Sequence, residues 1–158
     1  MTPPVAAHAS QSAVPTLRER LKDPSLLREQ CYIDGTWVGQ PELPVNNPAT
    51  GAEIAKIAQL GAADATRAVE AAERAFPAWA KLTAKQRSNI LRKWFELIAA
   101  NREDLALILT SEQGKPLSEA LGEIDIGGAY VEFFAEEARR VYGETIPTQR
   151  GEIGRAHV

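Results

Sequence analysis

The side chain with the greatest potential for covalent chemistry is Cys31, the single cysteine in a chain of 158 residues. A cysteine reacts as its thiolate, which nearby histidines or basic clusters stabilise, and neither lies close to Cys31 in the sequence. We therefore interpret Cys31 as a packed or unreactive thiol. His8 and His157 lie near the two ends of the chain. Neither histidine is expected to act as a general base or a metal ligand.

The stretch Gly114-Lys115-Pro116 superficially matches part of a phosphate-binding loop. That loop needs a further upstream glycine and a serine or threonine after the lysine, where this chain has Pro116. The sequence also has no Gly-x-Gly-x-x-Gly dinucleotide motif. Charges at four-residue spacing, Glu119 with Glu123 and Glu136 with Arg140, are typical of a solvated helix face. None of these patterns predicts a catalytic or cofactor-binding residue.

The overall composition excludes several classes of partner. The net charge is −3 and the pI is about 5.5, whereas nucleic acids and anionic membranes recruit basic faces. The apolar runs are much shorter than the ~20 residues of a membrane span. One cysteine excludes an internal disulfide and is typical of a reducing compartment. We therefore expect no nucleic-acid partner, no membrane partner and a cytoplasmic location in a bacterium.

Residues 1–16 are predicted to be a disordered leader. Their only ionisable side chain is that of His8, and proline, alanine, serine and glutamine dominate the stretch. A secretory signal peptide would have a basic start and a longer apolar run. The structured part of the chain is therefore expected to start at residue 17.

Short β elements followed by four helices are predicted downstream of the leader. Residues 17–27 indicate a short helix that its proline breaks. Residues 32–38 indicate a hairpin, because an Asp-Gly pair suited to a type I′ turn separates two apolar pairs. Residues 47–51 indicate a turn, and residues 53–60 a strand. Taken alone, this order predicts an α+β fold.

The helices are predicted from apolar spacing and from capping residues. Thr83 and Gln86 form a capping box at the start of the second helix, and Asn101 is expected to cap the third. Pro116 starts the fourth helix, which is expected to run to about Val141. Two apolar faces are predicted, one of Ala65, Ala68, Val69, Ala72, Phe76 and Trp79 and one of Ile90, Leu91, Trp94, Leu97 and Ile98.

Gly127-Gly128 lies in the middle of the fourth helix, where each glycine costs roughly 1 kcal/mol relative to alanine. Two interpretations are open at this point. The glycines can allow close packing between helices, or they can allow close approach of a substrate or cofactor.

Four ordered stretches carry a resemblance to a known family: Ile33–Trp37, Asn47–Gly51, Glu112–Pro116 and Tyr142–Pro147. Together they resemble the first part of an aldehyde dehydrogenase, and their residues are similar to those of the bacterial succinate-semialdehyde dehydrogenases. The resemblance extends from about residue 22 to residue 147. It implies that residues 17–151 belong to the α/β aldehyde dehydrogenase fold, as a hairpin and helices that flank the cofactor domain.

The resemblance implies an enzyme that oxidises an aldehyde, here succinate semialdehyde, to the acid with NAD or NADP. In that family a cysteine, a glutamate, an asparagine and a lysine do the chemistry or hold the cofactor, and all four are expected downstream of this chain. No residue here is therefore assigned a catalytic or cofactor-binding role, and the 158-residue chain is expected to be inactive. The complete enzyme is expected to be a homo-oligomer, a dimer or tetramer.

The resemblance implies a role in binding substrate or a cation for four residues. Ile126 matches a position in the wall of the aldehyde tunnel. Val45 and Asn46, which precede the Asn-Pro-x-Thr-Gly stretch, and Glu112 match ligands of a structural Na⁺ or K⁺. Relatives carry aspartate where this chain has Glu112, so a carboxylate that only caps the following turn is the alternative interpretation.

Residues 152–158 are interpreted as translated sequencing-adapter DNA, because their codons can be written to match a common adapter followed by a stop. On this interpretation they form an irregular tail. An alternative hypothesis is that the whole chain is a stand-alone helical interaction module without enzymatic activity. Its net negative charge and amphipathic helices are compatible with this hypothesis. That hypothesis leaves the order of the four family stretches unexplained.

Overall fold

The structure is a computed structural model that describes residues 14–147 and 153–156. Two antiparallel hairpins precede the helices, as the predicted α+β order requires, and a third, which was not predicted, follows them. The elements are, in order, α1 (Leu17–Arg20), a 3-10 turn (Pro24–Leu26), β1 (Cys31–Ile33), β2 (Thr36–Val38), β3 (Pro41–Asn46), β4 (Glu53–Ala58), α2 (Ala62–Ala80), α3 (Ala84–Ala100), α4 (Arg102–Gln113), α5 (Leu117–Glu137), β5 (Glu144–Pro147) and β6 (Ile153–Ala156).

The N-terminal segment starts with a capped helical turn. The Thr16 hydroxyl accepts the Glu19 amide N–H, and the Glu19 carboxylate accepts the Thr16 N–H at 2.8 Å. Most of the predicted leader lies outside the described residues, and Thr16, its last residue, caps α1. The predicted break at the proline is confirmed, since Pro24 starts a separate 3-10 turn.

The first hairpin is confirmed. Cys31 pairs with Val38 and Ile33 with Thr36. Asp34 and Gly35 have φ angles of 51° and 79°, as a type I′ turn requires at both central positions. The hairpin also contacts α2, because Arg74 donates to the Asp34 carboxylate at 3.0 Å.

A second hairpin joins β3 and β4 through the predicted turn. Asn47 closes this turn: its side-chain Oδ1 accepts the Ala49 N–H at 2.8 Å, and its carbonyl accepts the Gly51 N–H at 2.7 Å. The strand β4 was predicted, and β3 was not. Pro41 and Pro44 argue against a strand, but prolines are tolerated here because β3 forms the edge of a two-stranded sheet.

Helices α3 and α4 start directly after Thr83 and Asn101 as predicted, and α5 starts one residue after Pro116. The predicted cap of α4 and the predicted end of α5 are wrong. The Thr83 capping box is present. Asn101 stands before α4, but its side-chain amide donates to the Leu97 carbonyl at 2.8 Å and so closes the end of α3 instead of capping α4. The helix α5 ends at Glu137 and not near Val141, because the Arg139 and Arg140 amides bond three residues back, which tightens the last turn.

The apolar faces predicted for α2 and α3 are only partly covered in the described part of the chain. On α2 the buried residue is Ala71, whereas Val69 and Phe76 are exposed. On α3 the predicted face divides. Ile90, Trp94 and Leu97 are exposed, while Leu91 and Ile98 are half-buried. Periodicity identified the apolar faces but could not show which of them this chain covers itself.

The buried core is small and includes the N-terminal segment. Leu17, Leu21 and Leu27 form one buried cluster, with Ile54 and Ala55 of β4 and Leu107 and Ile108 of α4 packed against it. Asp104, which is only 5% exposed, accepts the Lys22 and Asp23 amides at 3.0 and 2.7 Å. A buried carboxylate on α4 therefore holds the main chain that carries the leucines.

The expectation of an irregular tail is wrong for part of residues 152–158. Ile153–Ala156 form β6, which pairs antiparallel with β5 from Glu144↔Ala156 to Pro147↔Ile153. The remaining residues of the tail lie outside the described part. The adapter origin concerns the gene, and it stays a prediction. Across the described residues, the helices are all too short or too polar to cross a membrane.

We expect Asp104→Asn to lower the free energy of unfolding by about 1–3 kcal/mol. The amide retains one acceptor oxygen and turns an N–H₂ group toward a main-chain N–H, which leaves a buried donor unsatisfied. Urea unfolding followed by circular dichroism measures the change. The matched control is Glu103→Gln, which removes only the exposed contact with Lys22 and should change stability by less than about 0.5 kcal/mol. Equal effects of the two variants would contradict the role of Asp104.

Candidate functional site

The middle of α5 packs closely on α3 at one of its two central glycines. A Cβ atom added to Gly128 would lie 3.6 Å from Ile98 Cγ2 and 3.6 Å from Phe95 Cδ2, which is ordinary van der Waals contact. At Gly127, apart from its chain neighbours and the local helix backbone, no atom of the described residues lies within 4 Å of such a Cβ. Gly128 therefore packs on α3 with room for a methyl group, whereas Gly127 makes no comparable contact within the described residues.

Ile126 lies on the side of α5 that faces away from α3. Its side chain is 61% exposed, and with Ala129, Tyr130 and Phe133 it lines a shallow, predominantly apolar groove. A surface of this kind can pack against the hydrocarbon part of an aldehyde or against another protein segment. The position predicted for the tunnel wall is thus open to a ligand or partner.

The residues predicted to hold a monovalent cation lie on two segments that meet. Val45 and Asn46 are the last residues of β3, and the register with β4 shifts between them. Such an irregularity leaves main-chain groups outside the regular ladder. Glu112 lies in the last turn of α4. The following Gly114, with φ of 81°, is so close to the 47–51 turn that an added Cβ would lie 2.7 Å from Pro48 Cγ.

Desolvation raises the pKa of Glu112 above the ordinary glutamate value, although the residue is exposed by its surface area. Within residues 14–147 and 153–156, no cluster of three or more His, Cys, Asp and Glu residues could hold a metal ion. A cation here would therefore depend on main-chain oxygens in addition to Glu112. Such oxygens suit hard cations.

The loop after α4 is fixed by a lysine. The Lys115 side chain is only 14% exposed, and its ammonium group pairs with Glu123 of α5. Glu123, which the spacing placed on a solvated face with Glu119, therefore ties the Gly-Lys-Pro loop to α5. At the other end of the helix, Arg140 pairs with Glu137.

Cys31 shows no catalytic arrangement in the described part of the chain. The residue is half-buried, and its thiol lies 3.8 Å from the Ala58 carbonyl oxygen. The geometry agrees with a packed thiol. His8 and His157 lie outside the described residues.

Sequence reasoning missed the ion pairs that connect α5 to α3 and α4. Arg102 of α4 contacts both carboxylate oxygens of Asp125 on α5 at 2.5 and 2.6 Å. The hydrogen bonds from Arg102 hold the pKa of Asp125 below its usual value. Arg92 of α3 pairs with Glu132 of α5. The partners are 23 and 40 residues apart in sequence, so no local pattern could have indicated them.

A model of the aldehyde dehydrogenase family matches residues 37–157. The chain belongs to that family. The match includes β6 and most of the segment interpreted as a tail.

Two curated relatives and one solved structure show how much of such a protein this chain represents. It is 57% identical over 130 residues to a 3-sulfolactaldehyde dehydrogenase of Pseudomonas putida, covering 80% of this chain and 27% of that protein. It is 54% identical over 132 residues to a glutarate-semialdehyde dehydrogenase of Pseudomonas aeruginosa, covering 81% and 27%. A succinate-semialdehyde dehydrogenase structure from Burkholderia pseudomallei superposes with a TM-score of 0.78 at 51% identity, covering 82% and 28%. The chain therefore spans about a quarter of the length of these relatives.

We expect Gly128→Ala to leave stability unchanged or to raise it by up to about 1 kcal/mol. Alanine favours the helix interior, and the 3.6 Å contacts leave room for its methyl group. Thermal unfolding of the two proteins measures the difference. Gly127→Ala, where the surroundings are open, is the matched control and should show the helix gain alone. A clear loss of stability at Gly128 only would mean that helix packing there tolerates no side chain.

Proposed function

We propose that this chain is part of an aldehyde dehydrogenase that oxidises a short aldehyde with an acidic group at its far end. The family match carries the proposal. The named aldehydes of the relatives support the substrate class: 3-sulfolactaldehyde ends in a sulfonate, and glutarate and succinate semialdehydes end in carboxylates. Succinate semialdehyde remains our candidate substrate.

The proposed reaction needs groups that lie outside this chain. Oxidation of an aldehyde to an acid adds the oxygen of one water molecule, releases protons and removes a hydride, which NAD⁺ or NADP⁺ would accept. We assign no described residue to the nucleotide, and the half-buried Cys31 is a poor candidate for the nucleophile. In the proposal this chain therefore contributes structure, and Ile126 contributes to the aldehyde tunnel. The complete enzyme is proposed to be a cytoplasmic homo-oligomer, a dimer or tetramer, which light scattering of the purified enzyme would test.

We expect the 158-residue chain alone to reduce neither NAD⁺ nor NADP⁺ with succinate or glutarate semialdehyde. A hybrid in which residues 17–147 replace the matching segment of the Burkholderia enzyme should regain aldehyde-dependent reduction, within about tenfold of that enzyme's kcat/KM. Absorbance of the reduced nucleotide measures both. The expectation rests on 51% identity and a TM-score of 0.78 over the matched part.

The hybrid also tests the alternative hypotheses for the function of this chain. A hybrid that folds and stays inactive would contradict the proposal that this chain forms part of an active dehydrogenase. Turnover by the isolated chain above a blank without enzyme would show that it holds its own catalytic groups. In an active hybrid, Ile126→Ala should raise the KM for the aldehyde and leave the KM for the nucleotide unchanged. Equal changes in the two KM values would contradict the assignment of Ile126 to the tunnel wall.

We also propose that Glu112, together with the main-chain carbonyls of Val45 and Asn46, holds a monovalent cation. The approach of Gly114 to Pro48 and the irregular register of β3 support this arrangement. The raised pKa of Glu112 supports it as well, because ionising a desolvated carboxylate is costly and a nearby cation offsets that cost.

The cation proposal predicts a higher unfolding temperature in NaCl or KCl than in tetramethylammonium chloride at equal ionic strength and neutral pH. Glu112→Gln should abolish the difference. Without the cation, the raised pKa of Glu112 means that the folded state favours the protonated carboxyl. The stability gained from this preference is fully present below the unfolded pKa and is lost as pH rises through the folded pKa. Glu119→Gln is the control. An unfolding temperature independent of the cation would contradict the site.

A further inference from the structure

Lys115 lies in sequence between two carboxylates, and its ammonium group pairs with one of them. Glu112 precedes the lysine by three residues, in the last turn of α4, and Glu123 follows it by eight residues, on α5. The ammonium group contacts Glu123. Glu112 forms no ion pair with any residue that the structure describes. The lysine therefore neutralises the carboxylate that is farther away in sequence and leaves the nearer one without a described charged partner.

A pair between Lys115 and Glu112 is also within reach. Three residues span at most about 10 Å even in an extended chain, and Gly114, with φ of 81°, bends the main chain between the two residues. Lysine carries its charge on a flexible four-carbon stem. Opposite charges attract more strongly where water is partly excluded, and the Glu112 carboxyl group is partly desolvated. Glu112 and Glu123 therefore compete for the same ammonium group.

A pair between Lys115 and Glu112 would exclude the proposed cation. Na⁺ or K⁺ would lie between the Glu112 carboxylate and the main-chain carbonyls of Val45 and Asn46. An ammonium group at Glu112 would already neutralise that carboxylate, and it would repel a second positive charge a few ångströms away. Lys115 is therefore a competitor of the free cation within the same chain.

The loop that carries Lys115 is constrained on both sides, which favours the pair with Glu123. Gly114 lies so close to the preceding turn that an added Cβ would be 2.7 Å from Pro48 Cγ. Pro116 fixes one main-chain angle directly after the lysine. The Lys115 side chain is mostly covered where it contacts α5. Because the loop is already ordered, pairing with Glu123 costs less conformational entropy than pairing on a mobile segment would.

We propose that Glu123 keeps the cation site available by holding the ammonium group of Lys115 away from Glu112. Glu123 is then a positioning residue, since it acts through Lys115 and contributes no oxygen to the cation. The proposal rests on the cation site of the proposed function. It adds the residue pair that decides whether a free cation or the lysine of the same chain neutralises Glu112.

The test measures the KCl concentration that gives half of the full rise in unfolding temperature of the 158-residue chain. Tetramethylammonium chloride keeps the ionic strength constant, and circular dichroism follows unfolding. Glu123→Gln should raise this concentration about tenfold, within the range of coupling inside one ion-pair network, because the released lysine competes for Glu112. Lys115→Met should lower it, because methionine retains an apolar stem and removes the competing charge.

The double variant, Lys115→Met with Glu123→Gln, separates the role of Glu123 from a general effect on the fold. Without the lysine nothing has to be held away from Glu112, so the KCl concentration should return close to that of the unaltered chain. Glu119→Gln, one helical turn before Glu123 on α5, is the matched control and should leave the concentration unchanged.

The other outcomes distinguish this proposal from the cation site itself. If KCl does not stabilise the unaltered chain, the site is contradicted, and this proposal with it. A KCl effect that Glu123→Gln leaves unchanged would overturn the role of Glu123 and leave the site standing. Loss of the effect in the double variant as well would show that Glu123 acts on the fold and not through Lys115. Should Glu123→Gln fail to fold, Lys115→Met decides alone, and an unchanged or higher KCl concentration would overturn the proposal.

Discussion

The carboxylate of Asp104 is the constraint on which the compact part of this structure depends. It is buried, and it accepts two consecutive main-chain amides, those of Lys22 and Asp23. This pairing holds the segment that places Leu17, Leu21 and Leu27 against β4 and α4. Burying a carboxylate is costly unless its oxygens accept hydrogen bonds. The N-terminal segment therefore supplies donors to Asp104 of α4, and Asp104 supplies acceptors to the main chain of that segment. Local elements become a folded unit through this contact, which links residues about eighty positions apart.

Elements controlled by local chemistry were predictable from the sequence. The Asp34-Gly35 pair specified its turn, and Thr83 with Gln86 specified the start of α3. Features that depend on distant residues were not predictable. β3 contains two prolines that argue against a strand, and its pairing with β4 decides otherwise. The end of α5 depends on how its last turn tightens, and periodicity does not encode that detail.

The candidate site was predictable only through family resemblance. Nothing local to Val45, Asn46 or Glu112 indicates a ligand, and the approach of their segments becomes visible only at the contact between Gly114 and Pro48. The adjacent glycines illustrate the same limit. The sequence showed that both are unfavourable in a helix. The structure distinguishes Gly128, which packs on α3, from Gly127, which makes no such contact within the described residues. Their roles differ because their surroundings differ.

Hydrogen exchange of the isolated 158-residue chain tests the account most directly, because the account places the Lys22 and Asp23 amides on a buried carboxylate. These two amides should exchange much more slowly than the same amides in the unfolded chain, at rates close to those of the α4 amides. The reason is that the Lys22 and Asp23 amides become exposed only when the N-terminal segment leaves the helix. Exchange of the two amides at unfolded rates while α4 stays protected would contradict it. The N-terminal segment would then be a separate appendage, and the unit described here would not be held together by Asp104.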